Sequence, residues 1–307
     1  SLLRDADIAM YSAKAAGPNN YQYFTPKLRQ STSERLQLID GLRRAVATGD
    51  GLRLVYQPWI HVDTGEVAGV EALARWEHPE IGMVPTERFI RLAEETDLIV
   101  PLGLWAMNAA CSQLKRWHDS GMKKFAVSIN LSPRQLRRGN LAEVLEQTLD
   151  RTALEAKWLK VELTERTLVD DTETARRTLD RLRSLGVEIA IDDFGTGYSS
   201  LSYLKSFPID AIKIDREFVR DSVTDADTAT VAQSMVALAK ASRLEVIAEG
   251  VETREQLELV RSHGCTLVQG FYISRPLAVE NVPHAIDKGF SFLATTKTDL
   301  PRVRSAR

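Results

Sequence analysis

The chain has 307 residues, with 40 Lys or Arg, 42 Asp or Glu and a formal charge of -2. This near-neutral balance argues against a nucleic-acid polymer or a membrane surface as the partner, because both select strongly basic proteins. The longest apolar stretch, residues 98–111, contains Pro101 and is too short to cross a bilayer. We therefore expect a cytoplasmic segment, and any membrane anchor of the full-length protein would lie upstream. Cys111 and Cys265 form neither a disulfide framework nor a zinc knuckle.

The first 48 residues contain two predicted helices. Residues 2–16 repeat apolar side chains at near-helical spacing, stop at Gly17 and Pro18, and lead into a short aromatic strand at residues 21–24. Residues 32–48 carry apolar side chains on one helical face and charges on the other. This second helix is either a linker or the first helix of the domain that follows.

Eight strand-like runs begin at residue 52, and helical segments separate all but the first two. The runs are residues 52–62, 66–76, 124–132, 159–165, 187–194, 210–215, 245–252 and 267–274. Residues 63–65 alone join the first pair, which allows a hairpin but no parallel crossover. The pattern predicts an α/β fold, a modified TIM (βα)8 barrel with an antiparallel first strand. A doubly wound open sheet is the alternative, although no GxGxxG motif follows an early strand.

The strands after the first deliver polar side chains toward their carboxyl ends, where barrels of this type carry out their chemistry. These residues are Glu71, Asn130, Glu162, Asp192, Asp193, Lys213, Glu249 and Gln269. So many acids in an apolar barrel would be costly without a compensating cation. Because the ligands are oxygens and the five histidines lie elsewhere, two divalent cations, Mg²⁺ or Mn²⁺, are favoured over zinc.

The run VEIAIDDFGTGYSSL, residues 187–201, is the most specific part of this pattern. Neighbouring strand residues point to opposite faces, so Asp192 and Asp193 reach one site only if the strand bends or ends between them. Two such acids can serve two ions, as in phosphoryl-transfer sites. The alternative is a solvated turn. Lys213 either neutralises this acidity and holds or activates a water, or simply caps a strand end.

Four further residues are candidates for substrate handling or support. Arg75 can grip a phosphate as a bidentate fork, and Gln57 offers an amide to a ligand; an ordinary surface arginine is the alternative for Arg75. Glu165 and Glu252 each lie three residues beyond a candidate ligand. They are interpreted as supports for the ligands or as acids favoured at helix starts.

Seven strings in order resemble the EAL-domain phosphodiesterases, which open cyclic di-GMP to the linear dinucleotide pGpG in bacterial second-messenger signalling. The strings are EALARW, SINLS, ELTE, DDFGTGYSSL, KIDR, AEGVET and QGFYISRP. The resemblance implies that one metal is bound by Glu71, Asn130, Glu162 and Asp192, and a second by Asp192, Asp193 and Glu249. It further implies a catalytic set of Glu71, Asp193, Lys213 and Glu249.

The resemblance also assigns supporting roles. Lys213 would contact the attacking water, Gln269 would support the water or the substrate, and Gln57 and Arg75 would contact substrate. The DDFGTGYSS segment, which includes Thr196, would be a regulatory loop anchored by Glu165. A homodimer contact near residues 198–207 is expected, with cyclic di-GMP as the ligand.

The opening segment resembles the last helix and strand of a GGDEF domain, although it departs from that family at residues 17–20. We therefore expect a GGDEF remnant at 1–24, a linker at 25–32, an EAL domain at 33–290 and a tail at 291–307. Upstream GGDEF and sensor domains would belong to the full-length protein. Two rival functions remain: a catalytically silent cyclic di-GMP receptor, and a magnesium-dependent lyase with Lys213 as its base.

Overall fold

A computed structural model describes residues 6, 9–10, 20–170, 172–196 and 206–290. The predictions for most of the opening segment, for the loop beyond Thr196 up to residue 205 and for the tail from residue 291 lie outside the described residues. The chain divides into two compact units, residues 1–53 with 75–102, and residues 54–74 with 103–307.

Nine strands form one sheet among the described residues. They are β1 (Leu52–His61), β2 (Val67–His78), β3 (Gly82–Val84), β4 (Ala126–Asn130), β5 (Leu159–Thr164), β6 (Glu188–Phe194), β7 (Ala211–Ile214), β8 (Glu245–Ala248) and β9 (Leu267–Gln269). The helices are Pro26–Thr48, Thr86–Glu95, Ile99–Asp119, Pro133–Arg137, Leu141–Thr152, Glu165–Asp170, Thr172–Ser184, Arg216–Asp221, Ala226–Ala241, Arg254–His263 and Val282–Lys288. Single 3₁₀ turns occupy Ala156–Trp158 and Val279–Asn281.

The second unit contains a closed eight-stranded barrel. Its strand order is β1-β9-β8-β7-β6-β5-β4-β2, and pairing of β1 with β2 closes the ring. The strands from β4 to β9 run parallel, whereas β1 is antiparallel to β9, with Trp59 opposite Gln269. The turn between β1 and β2 is held by the bond from His61 N–H to the Glu66 carbonyl, 2.9 Å. The predicted barrel with an antiparallel first strand is confirmed.

Successive residues of a parallel strand point alternately toward the surrounding helices and toward the barrel interior, and both sides are buried. On β5, Val161 and Leu163 belong to the same apolar cluster as Leu179 of the helix Thr172–Ser184. The intervening residues Lys160 and Glu162 are also buried, at 2% and 0% exposure. Because both faces of a parallel strand are covered, the polar side chains are held inside the barrel.

The strand β6 breaks where its two acids lie. Its register with β7 shifts between Ile191 and Phe194, and Asp193 adopts a φ of 52°, in the left-handed region. This bulge removes the strict alternation that would send Asp192 and Asp193 to opposite faces. The bend expected from the sequence is therefore present.

Before β1, the first unit differs from expectation in two places. The helix Pro26–Thr48 begins earlier than residue 32 because Thr25 caps it, accepting a bond from Leu28 N–H, and Pro26 fits its first turn. The predicted aromatic strand at residues 21–24 is wrong: residues 20–25 form no regular element. Tyr21 and Tyr23 are 79% and 80% exposed, as expected for a segment with no neighbouring strand to pair with.

The strand β3 was not predicted. It pairs with the end of β2, Val84 opposite Trp76, after a tight turn at residues 79–81. His78 closes that turn, since its Nδ1 accepts the backbone N–H groups of Glu80 and Ile81 at 3.1 and 3.2 Å. Three residues are too few for a periodic signal.

A search of the helices in the described part of the chain finds none with the length and hydropathy of a membrane span.

Candidate active site

Side chains from six strands, and from Glu249 just after β8, meet toward the carboxyl ends of the barrel, and Lys213 of β7 lies at their centre. Its side chain is 1% exposed. Four carboxylates surround its Nζ: Glu249 at 2.5 Å, Glu162 at 2.7 Å, Asp192 at 3.3 Å and Glu71 at 3.5 Å. Burial alone would lower the pKa of Lys213, but these carboxylates outweigh it and raise the pKa well above its usual value.

Glu71 is fixed by two amides from neighbouring strands. Asn130 Nδ2 donates to Glu71 Oε1 at 2.7 Å, and Gln269 Nε2 donates to Oε2 at 2.8 Å. Burial pushes the pKa of Glu71 upward, but Lys213 and these hydrogen bonds reverse the shift, so its pKa lies below the usual range. The side chain is therefore oriented and held as a carboxylate.

The pKa values of Glu162 and Glu249 are shifted in the opposite direction from that of Glu71. Burial, assisted by the charges of Glu71 and Asp192, raises the pKa of Glu162 to about 7 against the opposing effect of Lys213. Burial likewise raises the pKa of Glu249 well above its usual value, again opposed by Lys213 and assisted by Asp192. One ammonium thus does not compensate four carboxylates in this environment.

Asp192, Asp193 and Glu249 form a second grouping. Each offers a carboxylate oxygen, and these three atoms lie within 4.8 Å of one another. Burial raises the pKa of Asp193 to about 6, with further contributions from Asp192 and Asp215. The three acids could hold a divalent cation through oxygen ligands.

A short turn fixes the backbone after Asp193. Thr196 Oγ1 donates to the Asp193 carbonyl at 2.9 Å, and the Thr196 N–H reaches the same oxygen at 3.3 Å. Gly195 has a φ of 104°, and a Cβ there would lie 2.4 Å from the terminal methyl of Met235. Glycine is therefore required at this position by both conformation and space.

A cavity of about 260 Å³ opens over the acidic cluster. Its lining residues are Gln57, Glu71, Leu73, Asp192, Lys213, Arg216, Glu249, Gly250, Glu252, Gln269, Gly270 and Phe271. Gln57 is 9% exposed and donates from Nε2 to the Ser274 carbonyl at 3.2 Å. The structure thus brings together the predicted metal ligands, Lys213, Gln269 and Gln57.

Three further predicted residues have the following surroundings in the structure. Arg75 belongs to the first unit, where its Nη1 donates to Thr86 Oγ1 at 3.3 Å. Glu165 is 5% exposed and opens the helix Glu165–Asp170, but most of its predicted partner loop lies outside the described residues. Glu252 lines the cavity and is exposed; its N–H donates to Gln256 Oε1 at 2.6 Å, at the start of the next helix.

Sequence reasoning missed Asp215 and Arg216. Asp215 is 8% exposed, caps the helix Arg216–Asp221 by accepting from Glu217 N–H at 2.8 Å, and interacts with Asp193. The string KIDR contained a signal for Asp215. This residue lies two positions after Lys213, so it shares the face of Lys213, and an acid just before a helix is a candidate N-cap. Arg216 follows it and lines the cavity.

Comparisons with known proteins identify relatives over most of the chain. The profile of the EAL domain matches residues 39–276. The chain is 41% identical over 281 residues to the bifunctional diguanylate cyclase/cyclic di-GMP phosphodiesterase MucR of Pseudomonas aeruginosa, covering 92% of this chain and 41% of MucR. It is 41% identical over 276 residues to the cyclic di-GMP phosphodiesterase NbdA of the same species, covering 90% of this chain and 35% of NbdA. The chain spans less than half the length of these relatives.

Solved structures show the same barrel. The PaMucR phosphodiesterase in its c-di-GMP complex has a TM-score of 0.77 and 41% identity, covering 80% of this chain and 99% of that chain. The EAL enzyme Bd1971, in a form that holds cAMP and cyclic di-GMP, has a TM-score of 0.78 and 32% identity, covering 83% of this chain and 70% of that chain.

Proposed function

We propose that this chain, which belongs to the EAL domain family, is a divalent-metal-dependent phosphodiesterase that hydrolyses one phosphodiester bond of cyclic di-GMP to give linear pGpG. The observation that carries the proposal is the convergence of four carboxylates on Lys213 beneath a cavity. The names of MucR and NbdA, at 41% identity, support the choice of substrate and reaction.

The donor set fits hard divalent cations. Its members offer oxygen atoms, and three carboxylate oxygens already lie within 4.8 Å of one another. Among the described residues, Glu162 Oε1 and Gln269 Oε1 are buried without a hydrogen-bond partner. Buried oxygens of this kind carry an energetic penalty that a cation or a water would remove.

Two ion sites follow from the proposed ligands. Glu71, Asn130, Glu162 and Asp192 would hold one cation, and Asp192, Asp193 and Glu249 would hold the other. Mg²⁺ or Mn²⁺ in these sites would supply positive charge that stabilises both the attacking and the leaving oxygen of an in-line displacement.

The chain's own residues orient the reactants. Lys213 donates a hydrogen bond to Glu71 and would hold the attacking water against the phosphorus, while Gln269 also donates to Glu71 and would keep it aligned. Glu249 contacts Lys213 and lines the cavity, and in this proposal it would accept the proton of that water. The water oxygen bonds to phosphorus as Glu249 takes one of its protons, the bond from phosphorus to the 3′-oxygen breaks, and the proton held by Glu249 passes to the departing 3′-oxygen, which becomes the 3′-hydroxyl of pGpG.

Other roles remain proposals of the same kind. Gln57 and Arg75 would contact the dinucleotide, and Glu165, Glu252 and Thr196 would support the loop after β6 and the ligands. We also keep the EAL domain at residues 33–290, the GGDEF remnant at 1–24, the linker at 25–32, the tail at 291–307, and a homodimer. The profile match at residues 39–276 falls within the proposed EAL boundaries.

The test is conversion of cyclic di-GMP by the purified chain, followed by chromatography and mass spectrometry of the product. We expect linear pGpG with Mn²⁺ or Mg²⁺, no product after chelation, and recovery when metal is restored. Full activity in Glu71→Ala would overturn the metal assignment. Tight cyclic di-GMP binding without turnover in saturating metal would identify a receptor instead.

A further inference from the structure

Arg216 is a cavity-lining arginine that the proposed mechanism does not use. It opens the helix Arg216–Asp221, its side chain is exposed, and it lines the same cavity as Glu249 and Glu252. Within the described residues its guanidinium makes no hydrogen bond and no ion pair. Its neighbour Arg220, on the same helix, instead donates to Asp221 through Nε and Nη2 at 2.6 and 3.1 Å.

The backbone beneath Arg216 is fixed by Gly250. This glycine has a φ of 65°, and a Cβ there would lie 2.3 Å from Arg216 Cβ and 3.1 Å from its Cα. The chain after β8 therefore passes directly against Arg216. The Glu249 N–H also donates to the Ile214 carbonyl at 3.1 Å, which ties the ends of β7 and β8 together. Arg216 consequently extends from a defined position beside the acidic cluster.

The charges around the cavity explain why an unengaged guanidinium matters. Four lining residues are acids, namely Glu71, Asp192, Glu249 and Glu252. Lys213 also lines the cavity, but its buried ammonium already contacts carboxylates. Beyond the proposed cations, an anionic ligand entering this space gains from a further positive partner, and Arg216 presents a planar fork that matches two phosphate oxygens.

We propose that Arg216 binds a phosphate group of the dinucleotide and thereby determines substrate affinity. The inference rests on the proposed function, because it takes the cyclic dinucleotide as the occupant of the cavity. Arg216 contacts neither Lys213 nor the metal-ligand acids through any hydrogen bond or ion pair among the described residues. Its loss should therefore weaken binding more than it slows the chemical step.

The experiment compares Arg216→Ala and Arg216→Lys with Arg220→Ala as the matched control on the same helix. We expect Arg216→Ala to raise KM for cyclic di-GMP about tenfold to a hundredfold, the usual consequence of losing a charge-assisted contact. Its kcat and the Mn²⁺ concentration for half-maximal activity should change less than about twofold. Arg216→Lys should be intermediate, because it keeps the charge but loses the fork, and Arg220→Ala should match the parent.

Salt dependence separates a phosphate contact from a contact to the uncharged guanine base. Because ions screen charge pairs, KM of the parent should rise with NaCl more steeply than KM of Arg216→Ala. Equal salt dependence would overturn the phosphate assignment, and an unchanged KM in Arg216→Ala would overturn any substrate role. If the parent shows no turnover, the proposed function fails separately. The Arg216 assignment is then decided by calorimetric Kd for cyclic di-GMP, which Arg216→Ala must raise.

Discussion

Two lysines are buried inside the same barrel, and their surroundings differ in a way that separates the proposed catalytic cluster from a second cluster to which no catalytic role is assigned. Lys213 lies toward the carboxyl ends of the strands, within 3.5 Å of four carboxylates whose side chains are at most 18% exposed. Lys160 lies near the amino end of β5. It contacts Glu245 at 2.8 Å and Glu188 at 3.4 Å, and these glutamates are 40% and 47% exposed.

The comparison shows that a buried lysine is not itself the mark of a site. Burial lowers the pKa of Lys160, but Glu245 and Glu188 outweigh it and raise that pKa, in the same direction as for Lys213. The difference is in the acids. The glutamates around Lys160 reach water, which screens them, whereas the excess negative charge around Lys213 is largely shielded from water and has to be balanced by bound protons or further cations.

The surroundings of Lys160 are also filled by an aromatic ring. Its Nζ lies 5.6 Å from the centre of the Trp59 ring, which is 2% exposed. The ring crosses Gly69 so closely that a Cβ there would lie 2.1 Å from it. The Trp59 ring therefore fills the space beside Lys160, whereas Lys213 lines a cavity.

The largest effect is expected from Asp192→Asn, which removes the carboxylate assigned to both ions while keeping its shape. Turnover of cyclic di-GMP should fall about 10³-fold or more, equivalent to roughly 4 kcal/mol of transition-state stabilisation. The measurement is the initial rate of pGpG formation in saturating Mn²⁺. Lys160→Met serves as the control from the other end of the barrel and should stay within about threefold of the parent. A similar loss in both variants would contradict the distinction drawn here.

Much of this arrangement could be predicted from the sequence. Strands after the first carry period-2 patterns with a polar residue toward the end, so the barrel and the mouth ligands follow from alternation and strand order. The cluster around Lys160 could not be found in this way. Its partners Glu188 and Glu245 begin two other strands, and only the closed ring brings them to Lys160.

Local backbone details were less predictable for a different reason. The string DDFG indicated an irregularity, but not that Asp193 itself would take a φ of 52°. The three-residue β3 is too short to show a period. Cap residues Thr25 and Asp215 had recognisable signals, a Thr-Pro pair and an acid before a helix, which the larger patterns obscured.

The next effect concerns stability without metal. Lys213→Met removes the ammonium shared by four carboxylates that are at most 18% exposed, so unfolding free energy should fall by about 3 kcal/mol. Lys160→Met should cost less, below about 2 kcal/mol, because Glu188 and Glu245 can turn toward water. Urea unfolding in a chelator measures both. Equal losses would mean that exposure of the partner acids does not distinguish the two clusters.

Added metal should stabilise the protein through the acids at the carboxyl ends of the strands and not through the cluster around Lys160. At a free Mn²⁺ concentration about 100 times its Kd, the parent should gain roughly 2.7 kcal/mol of stability. Lys160→Met should retain that gain in full, whereas Asp192→Asn should lose most of it. Thermal unfolding with and without Mn²⁺ gives the comparison. A full gain in Asp192→Asn would place the ion somewhere other than the proposed ligands.

The smallest effect is expected from Glu188→Gln, which removes one charge near Lys160. Its side chain is 47% exposed and its oxygen lies 3.4 Å from Lys160 Nζ, while Glu245 keeps the shorter contact. Because a solvated ion pair contributes little, unfolding free energy should change by about 0.5 kcal/mol or less. Turnover and Mn²⁺ affinity should match the parent. A loss of several kcal/mol would show that Lys160 depends on both glutamates, and that buried charge near the amino ends of the strands is as finely balanced as the charge around Lys213.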